Sequence, residues 1–323
     1  MKSSYSSIFE KYLAENLFLS SPKELYEPVN YILTMGGKRL RPILALMGCG
    51  LFDDRVEKAV PAAMAVEVFH NFTLLHDDIM DAAPIRRGNP TVHKKYGLNA
   101  GVLSGDVMLI HAYDFLLRIE NKSLVPEVFS IFNKMAIEVC QGQQYDMNFE
   151  TSAAVSIPDY LRMIELKTAV LLASAFKIGA LIGGASAIDA DHLSEFGRNM
   201  GIAFQLQDDV LDTYGDPEKF GKKVGGDIVQ NKKSYLVLKA LEIGGATDRS
   251  SLTQLMSSST GDEAVKIAAV KSIFDRLDVR TLTEDLMNEY AETAYKSLQT
   301  MEISAMKKLE LKKWASGLLT RES

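Results

Sequence analysis

Two stretches decide the fold: AVEVFHNFTLLHDDIMD at residues 65–81 and IAFQLQDDVLD at residues 202–212. Each is largely apolar until it ends in a DDxxD string, with carboxylates at positions i, i+1 and i+4. At 3.6 residues per turn, the first and last aspartates of each string share one helical face. Carboxylates that point from apolar helices into one cavity are costly unless cations neutralise them. The spacing therefore predicts two facing helices that bind a divalent metal and a polyanion.

The rest of the chain also has the pattern of helices. Apolar residues recur at helical spacing near the start of the chain and in YLVLKALEIGG at residues 235–245. Loop-like pieces such as MGGKRLRP (35–42) and AAPIRRGNP (82–90) separate these segments. Strand-like alternation is almost absent. We predict an all-α, single-domain helical bundle around a central cavity, spanning residues 1–323.

Composition excludes several classes of function. The 323 residues carry a net charge of −6, which argues against nucleic-acid binding and gives no membrane-surface signal. Cys49 and Cys140 have no CxxC spacing, so neither a disulfide framework nor a zinc site is predicted. The most apolar stretch, residues 169–188, is interrupted by Lys177, and neither apolar run beside this lysine reaches the roughly 20 residues that span a bilayer. We expect a soluble cytoplasmic protein without stable membrane insertion.

Basic residues near both strings indicate what the metal holds. Hard oxygen ligands suit Mg²⁺, which prefers one or two carboxylates together with substrate phosphates. Arg86 and Arg87 follow the first string, and their planar forks suit diphosphate oxygens. Further basic residues lie in GGKRLRP and after the second string: Lys38, Arg41, Lys222 and Lys232. Two acidic strings and this number of basic residues are more than one phosphate group needs. We therefore predict two diphosphate-bearing substrates.

Two other motif interpretations fail on spacing. The stretch GDPEKFGKK at residues 215–223 differs from a P-loop in the distance between its glycines, and no Ser or Thr follows the lysine. The motifs GxSxG and GxGxxG do not occur. Covalent serine catalysis and a dinucleotide-binding fold therefore have no support.

Five motifs occur in a fixed order from Gly36 onward: GGKRLRP, LLHDDIMD with RRG after it, KT at Lys167–Thr168, FQLQDDVLD and GKKVGGDI. Together they resemble the trans-isoprenyl diphosphate synthase (polyprenyl synthetase) family, of the short-chain geranylgeranyl or farnesyl diphosphate synthase type. The resemblance implies the isoprenoid synthase fold. It also implies a prenyltransferase that condenses isopentenyl diphosphate with an allylic diphosphate (dimethylallyl, geranyl or farnesyl).

The resemblance further implies a role for each site residue. The carboxylates would hold Mg²⁺, about three ions with substrate bound: Asp77, Asp78, Asp81, Asp208, Asp209 and Asp212. The allylic diphosphate would contact Arg86, Lys167, Lys222 and Lys232. Isopentenyl diphosphate would contact Lys38, Arg41, His70 and Arg87. The oxygens of Thr168 and Gln205 would face the developing carbocation. The expected catalytic residues are Asp77, Asp81, Lys167, Thr168, Gln205 and Asp208.

Product length should depend on residues before the first string, along which the product tail would run. Phe72 lies five positions before Asp77 and Thr73 lies four before it. An aromatic and a small residue at these positions, with no insertion in DDIMD, resemble the geranylgeranyl pattern of the family. We predict geranylgeranyl diphosphate as the product, with farnesyl diphosphate second. The other interpretation of Phe72 is an ordinary core residue.

Three other functions are compatible with parts of the pattern. A terpene cyclase would not need Lys38, Arg41 and His70, and a non-catalytic partner subunit usually loses one acidic string. A metal-dependent phosphohydrolase would need a water-activating residue, and none is evident. The resemblance also implies a homodimer. Asn231 and Ser234 replace the Gly and Thr that are more usual around Lys232.

Overall fold

The computed structural model describes residues 2–152, 154–216, 224–258 and 262–319. Within these ranges the chain is helical almost throughout, which confirms the all-α prediction. The strands that the structure describes there are β1 (Ile85–Arg86) and β2 (Asn89–Pro90), paired as an antiparallel hairpin. The chain forms two compact units. We call residues 1–134 and 174–194 the first unit, and residues 135–173 and 195–323 the second unit.

The α-helices of the described residues are numbered in chain order. They are α1 Lys2–Glu15, α2 Lys23–Thr34, α3 Leu40–Gly50, α4 Val60–Met80, α5 Val92–Tyr96, α6 Leu98–Leu117, α7 Val125–Thr151, α8 Ile157–Ile164, α9 Val170–Ile182, α10 Ala187–Tyr214, α11 Gly226–Val229, α12 Tyr235–Ile243, α13 Ala246–Ser257, α14 Glu263–Arg276, α15 Val279–Thr300 and α16 Ala305–Leu319. A single π-helical turn at Glu165–Ala169 separates α8 from α9.

In the first unit, α4 packs closely against α6. A Cβ atom at Gly105 of α6 would lie 2.1 Å from Nε2 of His76, and one at Gly101 would lie 3.0 Å from Cδ1 of Ile79. Only glycine permits helices to approach this closely without displacing the neighbouring side chains. Phe69 and Leu75 on α4 are buried. Close packing along its length therefore holds the end of α4, which carries the first acidic string.

In the second unit, the π-helical turn lies against α7 and α10. A Cβ atom at Gly142 of α7 would lie 2.3 Å from the backbone nitrogen of Lys167, and one at Gly201 of α10 would lie 2.6 Å from Cα of Ala169. Helix α8, which leads into this turn, begins with a capping box between Ser156 and Asp159. The chain thus brings the backbone of the KT motif close to both long helices.

Both acidic strings lie near the carboxyl ends of their helices. The first string begins in the last turn of α4, which ends at Met80. The second string begins six residues before Tyr214, the end of α10, and finishes two residues before it. The helix macrodipole is negative at this end, so a carboxylate there raises the free energy unless a cation is near. The fold therefore places the two strings where binding of cations is favourable.

Within the described ranges, one helix, α6, is long and apolar enough to cross a membrane by length and composition. Its most apolar 18-residue segment has a mean hydropathy of 1.3, and 39% of that segment is buried within the structure. This helix differs from residues 169–188, the most apolar stretch of the sequence. The core helix of a soluble protein passes the same test, and α6 packs against α4 through Gly101 and Gly105.

Candidate active site

The first acidic string is tied to the hairpin by Arg86. Its Nε donates to Asp78 Oδ2 at 2.7 Å, and its Nη2 lies 3.8 Å from Asp77 Oδ2. The side chain of Asp78 is 3% exposed, whereas that of Asp77 is 21% exposed and Asp81 is open to solvent. The backbone N–H of Asp81 donates to Asp77 O at 2.9 Å, so the predicted i, i+4 spacing persists. The middle aspartate is buried, and the outer two stay accessible.

The hairpin directs its two arginines to different partners. Arg87 and Gly88 form its two-residue loop with φ of 51° and 76°, the positive values that such tight turns need. Arg87 Nη1 donates to the carbonyl oxygen of Gly36. A Cβ atom at Gly37 would lie 2.8 Å from Arg87 Cζ, so a larger residue there would displace the end of the Arg87 side chain. One turn therefore joins Arg86 to the acidic string and Arg87 to the GGKRLRP loop.

Arg41 and His70 lie together, as the predicted isopentenyl diphosphate pocket requires. Arg41 Nη1 is 3.1 Å from His70 Nε2, and because arginine only donates, this nitrogen accepts and the ring is neutral. Burial, followed by the positive charges of Arg41, Arg87 and Arg86, lowers the pKa of His70 well below its ordinary range. Lys38 is exposed on the same loop.

Phe72 and Thr73 occupy different surroundings on α4. Phe72 is 8% exposed, and its ring centroid lies 5.6 Å from that of Phe69 and 4.9 Å from that of His76. Thr73 is partly exposed, and its Oγ1 donates to His70 O at 2.8 Å. Thr73 lies one turn before Asp77, so it shares the helix face of Asp77 and Asp81, the aspartates predicted to bind metal.

In the second string the middle aspartate is again buried, but neutral groups hold it. Tyr160 O–H donates to Asp209 Oδ2 at 2.5 Å, and Tyr235 N–H donates to the same oxygen at 3.1 Å. Asp209 is 4% exposed, whereas Asp208 is partly exposed. Burial, and next the negative charge of Asp227, raises the pKa of Asp209 to about 7.

The π-helical turn carries Lys167 and Thr168 to separate partners. Lys167 Nζ donates to Asp146 Oδ2 at 2.6 Å, and Thr168 Oγ1 donates to Gln205 Oε1 at 3.2 Å. Isolated π turns interrupt the regular side-chain positions of a helix and are frequent at functional sites. The predicted pair Thr168 and Gln205 is thus brought together.

A cavity of about 390 Å³ lies beside Asp212 in the second unit. Asp227 N–H donates to Asp212 Oδ2 at 3.0 Å, and Lys232 Nζ lies 3.7 Å from Asp227 Oδ1. These three residues line the cavity together with Glu263. The predicted metal ligand Asp212 and the predicted diphosphate ligand Lys232 therefore meet in one cavity.

The structure explains the departure from the family pattern at Asn231. This residue has a φ of 59°, a left-handed conformation that glycine adopts readily and that asparagine tolerates better than most residues. Its Oδ1 accepts from Lys266 Nζ at 2.5 Å. Asparagine therefore keeps the backbone turn before Lys232 and adds a contact with α14.

Lys233, the neighbour of Lys232, is directed to the end of α7. Its Nζ donates to Phe149 O at 2.5 Å and also to Ser152 O. The last carbonyls of a helix lack intrahelical donors, so a lysine there satisfies them and favours the negative end of the dipole. Lys233 is therefore a structural anchor beside Lys232, whose side chain is 46% exposed.

Sequence reasoning missed three residues that hold the site together. Asp227 lies in GKKVGGDI, and its place directly after two glycines could have marked it. Asp146 and Tyr160 carry no signal, because their partners lie 21 and 49 residues away along the chain. The predicted ligand Lys222 falls outside the described residues.

The donor set fits Mg²⁺. Among the described residues, no three His, Cys, Asp or Glu side chains come close enough to hold a metal ion by themselves. Mg²⁺ keeps several waters and binds through one or two carboxylates together with substrate phosphates, so it does not need such a cage. The accessible donors at the ends of α4 and α10 are carboxylate oxygens, the ligands that this ion prefers.

An all-α chain with a DDxxD string at the end of each of two long helices, and with lysines and arginines beside both, belongs to the class of isoprenoid synthases. The family model described as polyprenyl synthetase matches residues 22–273. Geranylgeranyl diphosphate synthase of Methanosarcina mazei is 43% identical over 244 residues, which is 75% of each chain.

Two further comparisons cover nearly the whole chain. The short chain isoprenyl diphosphate synthase of Methanothermobacter thermautotrophicus is 35% identical over 300 residues, 93% of this chain and 91% of that one. A crystal structure of geranylgeranyl pyrophosphate synthase has a TM-score of 0.95 at 42% identity and covers 100% of this chain and 99% of that one. The chain belongs to the polyprenyl synthetase family. The predicted fold and the predicted enzyme class, a trans-prenyltransferase, are confirmed.

Proposed function

We propose that the protein condenses isopentenyl diphosphate with an allylic diphosphate and releases geranylgeranyl diphosphate. One observation carries the proposal. In each acidic string the middle carboxylate is buried and hydrogen-bonded, while its neighbours stay accessible at the end of a helix. Such a string has a fixed orientation and places solvent-accessible carboxylates at the end of its helix. The named relatives in this family make the geranylgeranyl product the first choice.

Mg²⁺ is the proposed cofactor, about three ions with substrate bound. Its accessible ligands would be Asp77, Asp81, Asp208 and Asp212. Asp78 and Asp209 would support them by fixing the end of each helix. The ions would neutralise the charge that builds up on the departing diphosphate.

The basic residues divide between the two substrates. Isopentenyl diphosphate would bind Lys38, Arg41, His70 and Arg87, and the allylic diphosphate would bind Arg86, Lys167, Lys222 and Lys232. The oxygens of Thr168 and Gln205 would stabilise the allylic cation while the isopentenyl double bond attacks it. The released diphosphate would accept the proton, because no side chain of the site is an evident general base.

A condensation assay tests this function. The protein is incubated with labelled isopentenyl diphosphate, Mg²⁺ and each allylic starter in turn, and the product length is measured. We expect product from at least one starter and none with a chelator. Cyclised product without isopentenyl incorporation would instead indicate a terpene cyclase. Release of inorganic phosphate alone would indicate a phosphohydrolase, and inactivity with every starter would favour a non-catalytic subunit.

Product length is assigned to Phe72, which is nearly buried on α4. A large ring beside the tail would stop its growth, so Phe72→Ala should give products longer than those of the wild type. Phe72→Tyr, which keeps the ring, is the matched control and should leave the length unchanged. Equal product lengths for the wild type and Phe72→Ala would reduce Phe72 to a core residue.

We also propose that the protein is a homodimer formed through α6. Leu103, Ile110 and Leu117 lie seven residues apart on this helix and are 59%, 66% and 54% exposed. A stripe of this spacing packs well against a second helix, and a second copy supplies one. Ile110→Lys should therefore shift the mass in solution from dimer to monomer. Leu19→Lys changes a residue that is 92% exposed and lies outside the helices, so it should leave the mass unchanged.

The proposal also covers the domain organisation of the chain and its cellular compartment. We propose that residues 1–323 act as a single polyprenyl synthetase domain, which a single calorimetric unfolding transition would support. We propose the cytoplasm as its compartment, because an exposed thiol such as that of Cys140 is typical of reducing surroundings. Fractionation of cells that express the full chain tests the compartment.

A further inference from the structure

Arg39 is a buried arginine in the middle of the GGKRLRP loop. It is 6% exposed and has a φ of 47°, a left-handed conformation that is uncommon for a residue with a long side chain. Residues held in this region persist only where their surroundings fix them, and they cluster at functional sites. The backbone here turns the side chain of Arg39 inward, whereas its neighbour Lys38 is exposed.

Three helices of the first unit bind the guanidinium of Arg39. Its Nε donates to Glu10 of α1 at 3.0 Å, its Nη1 to Glu67 of α4 at 2.7 Å, and its Nη2 to the carbonyl oxygen of Leu33 of α2 at 2.5 Å. Glu67 is 2% exposed, and Asn71 Nδ2 donates to the same Glu67 oxygen at 2.9 Å. The planar fork of arginine meets all three acceptors, which a lysine could not do.

The contacts of the loop follow one face of α4. Arg39 pairs with Glu67, and Arg41, two residues later, pairs with His70, which lies three residues after Glu67. Residues three apart on a helix are neighbours on its surface. The first pair is buried and charged, and the second reaches the predicted isopentenyl diphosphate pocket. The position of the first pair along α4 therefore sets the position of the second.

We propose that the Arg39–Glu67 ion pair positions Lys38 and Arg41 for isopentenyl diphosphate, without itself contacting the substrate. This inference rests on the proposed function. Buried ion pairs contribute little net stability compared with apolar residues of similar volume, but they fix geometry. When an ion pair acts only by positioning its neighbours, its replacement by apolar residues retains the fold. The same replacement weakens the binding of the substrate that those neighbours contact.

The test compares the KM values of the two substrates in Arg39→Met/Glu67→Met, a double variant that removes both charges together. We expect a folded protein whose KM for isopentenyl diphosphate rises about tenfold to a hundredfold, as small misplacements of binding groups produce. The KM for the allylic diphosphate should change less than about twofold. Glu67→Gln, which keeps the side-chain shape, should also raise the ratio of the KM for isopentenyl diphosphate to the KM for the allylic diphosphate. This variant tests the positioning role if the double variant does not fold.

Two controls separate this inference from the proposed function. Lys38→Ala should raise the KM for isopentenyl diphosphate; failure of this variant, or of the wild type to condense, counts against the proposed function. Arg276→Met removes the ion pair with Asp248 in the second unit and should change neither KM. If Lys38→Ala behaves as expected while the folded Arg39 and Glu67 variants keep the wild-type ratio, the positioning role is wrong.

Discussion

The two acidic strings have the same spacing, yet the chain holds them by different chemistry. In the first unit Asp78 is paired with the guanidinium of Arg86. In the second unit Asp209 accepts from the hydroxyl of Tyr160 and the backbone N–H of Tyr235. One string thus depends on a cation that is itself a predicted substrate ligand, and the other depends on neutral donors of the surrounding fold. Removal of a charged partner should therefore affect the first string more, and a change in the surrounding packing should affect the second string more.

The largest effect should come from removing an accessible carboxylate from either string. We expect Asp77→Ala and Asp208→Ala each to lower kcat by about 10² to 10³-fold, the range that follows the loss of one transition-state stabiliser. Steady-state condensation assays measure this, and far-ultraviolet circular dichroism checks the fold. Loss of helicity instead of turnover would show that these aspartates are structural.

Changing the middle aspartates separates the two strings. Asp78→Asn replaces the charge-assisted hydrogen bond from Arg86 by a neutral one and leaves the 3.8 Å approach of Arg86 to Asp77, so we expect a loss of about 2 kcal/mol in the free energy of unfolding. Asp209→Asn keeps an oxygen that can accept from Tyr160 and Tyr235, so we expect a change within about 1 kcal/mol. Urea denaturation measures both. Equal losses would mean that the strings are held in the same way.

Lys232 and Lys233 are adjacent in the second unit, but we assign substrate binding to the first and structural anchoring to the second. Lys232→Met should lower kcat/KM for the allylic diphosphate, by about tenfold to a hundredfold, with little change in stability. Lys233→Met removes the donor to the end of α7 and should cost about 1–3 kcal/mol while the folded enzyme stays active. Thermal unfolding and kinetics of both variants decide between binding and anchoring. If the effects were interchanged, the assignment of the two residues would be wrong.

The sequence could predict the helices and the aspartates because both signals are local. Apolar periodicity sets α4 and α10, and the i, i+4 spacing of Asp77 and Asp81 follows from helix geometry alone. Which aspartate of each string is buried could not be predicted, since that depends on partners brought in by tertiary structure. Tyr160 is 49 residues from Asp209 along the chain.

The loop contacts show the same limit. The glycines of GGKRLRP indicated an irregular backbone, but the inward turn of Arg39 depends on Glu10, Leu33 and Glu67, which lie on three separate helices. The π-helical turn at Glu165–Ala169 was also beyond prediction. Its position depends on how closely α7 and α10 approach it at Gly142 and Gly201, and periodicity along one helix carries no such information.

The smallest predicted effect is the contribution of His70 to the pH dependence of stability. Burial and the charges of Arg41, Arg87 and Arg86 lower the pKa of His70 in the folded protein below the value of 6.5 that applies to the unfolded chain. Above pH 6.5 the ring is neutral in both states and stability is unaffected. As the pH falls below 6.5, the unfolded chain takes up the His70 proton first, so the contribution of His70 to the free energy of unfolding should decrease.

Thermal unfolding between pH 7.5 and 5.5 measures this slope, and His70→Gln is the control. The amide oxygen of glutamine can still accept from Arg41 but does not titrate, so the variant should lose part of the slope. Parallel slopes for the wild type and His70→Gln would mean that the pKa of His70 is not lowered. The slope would then belong to other groups, among them Asp209, whose pKa burial raises to about 7.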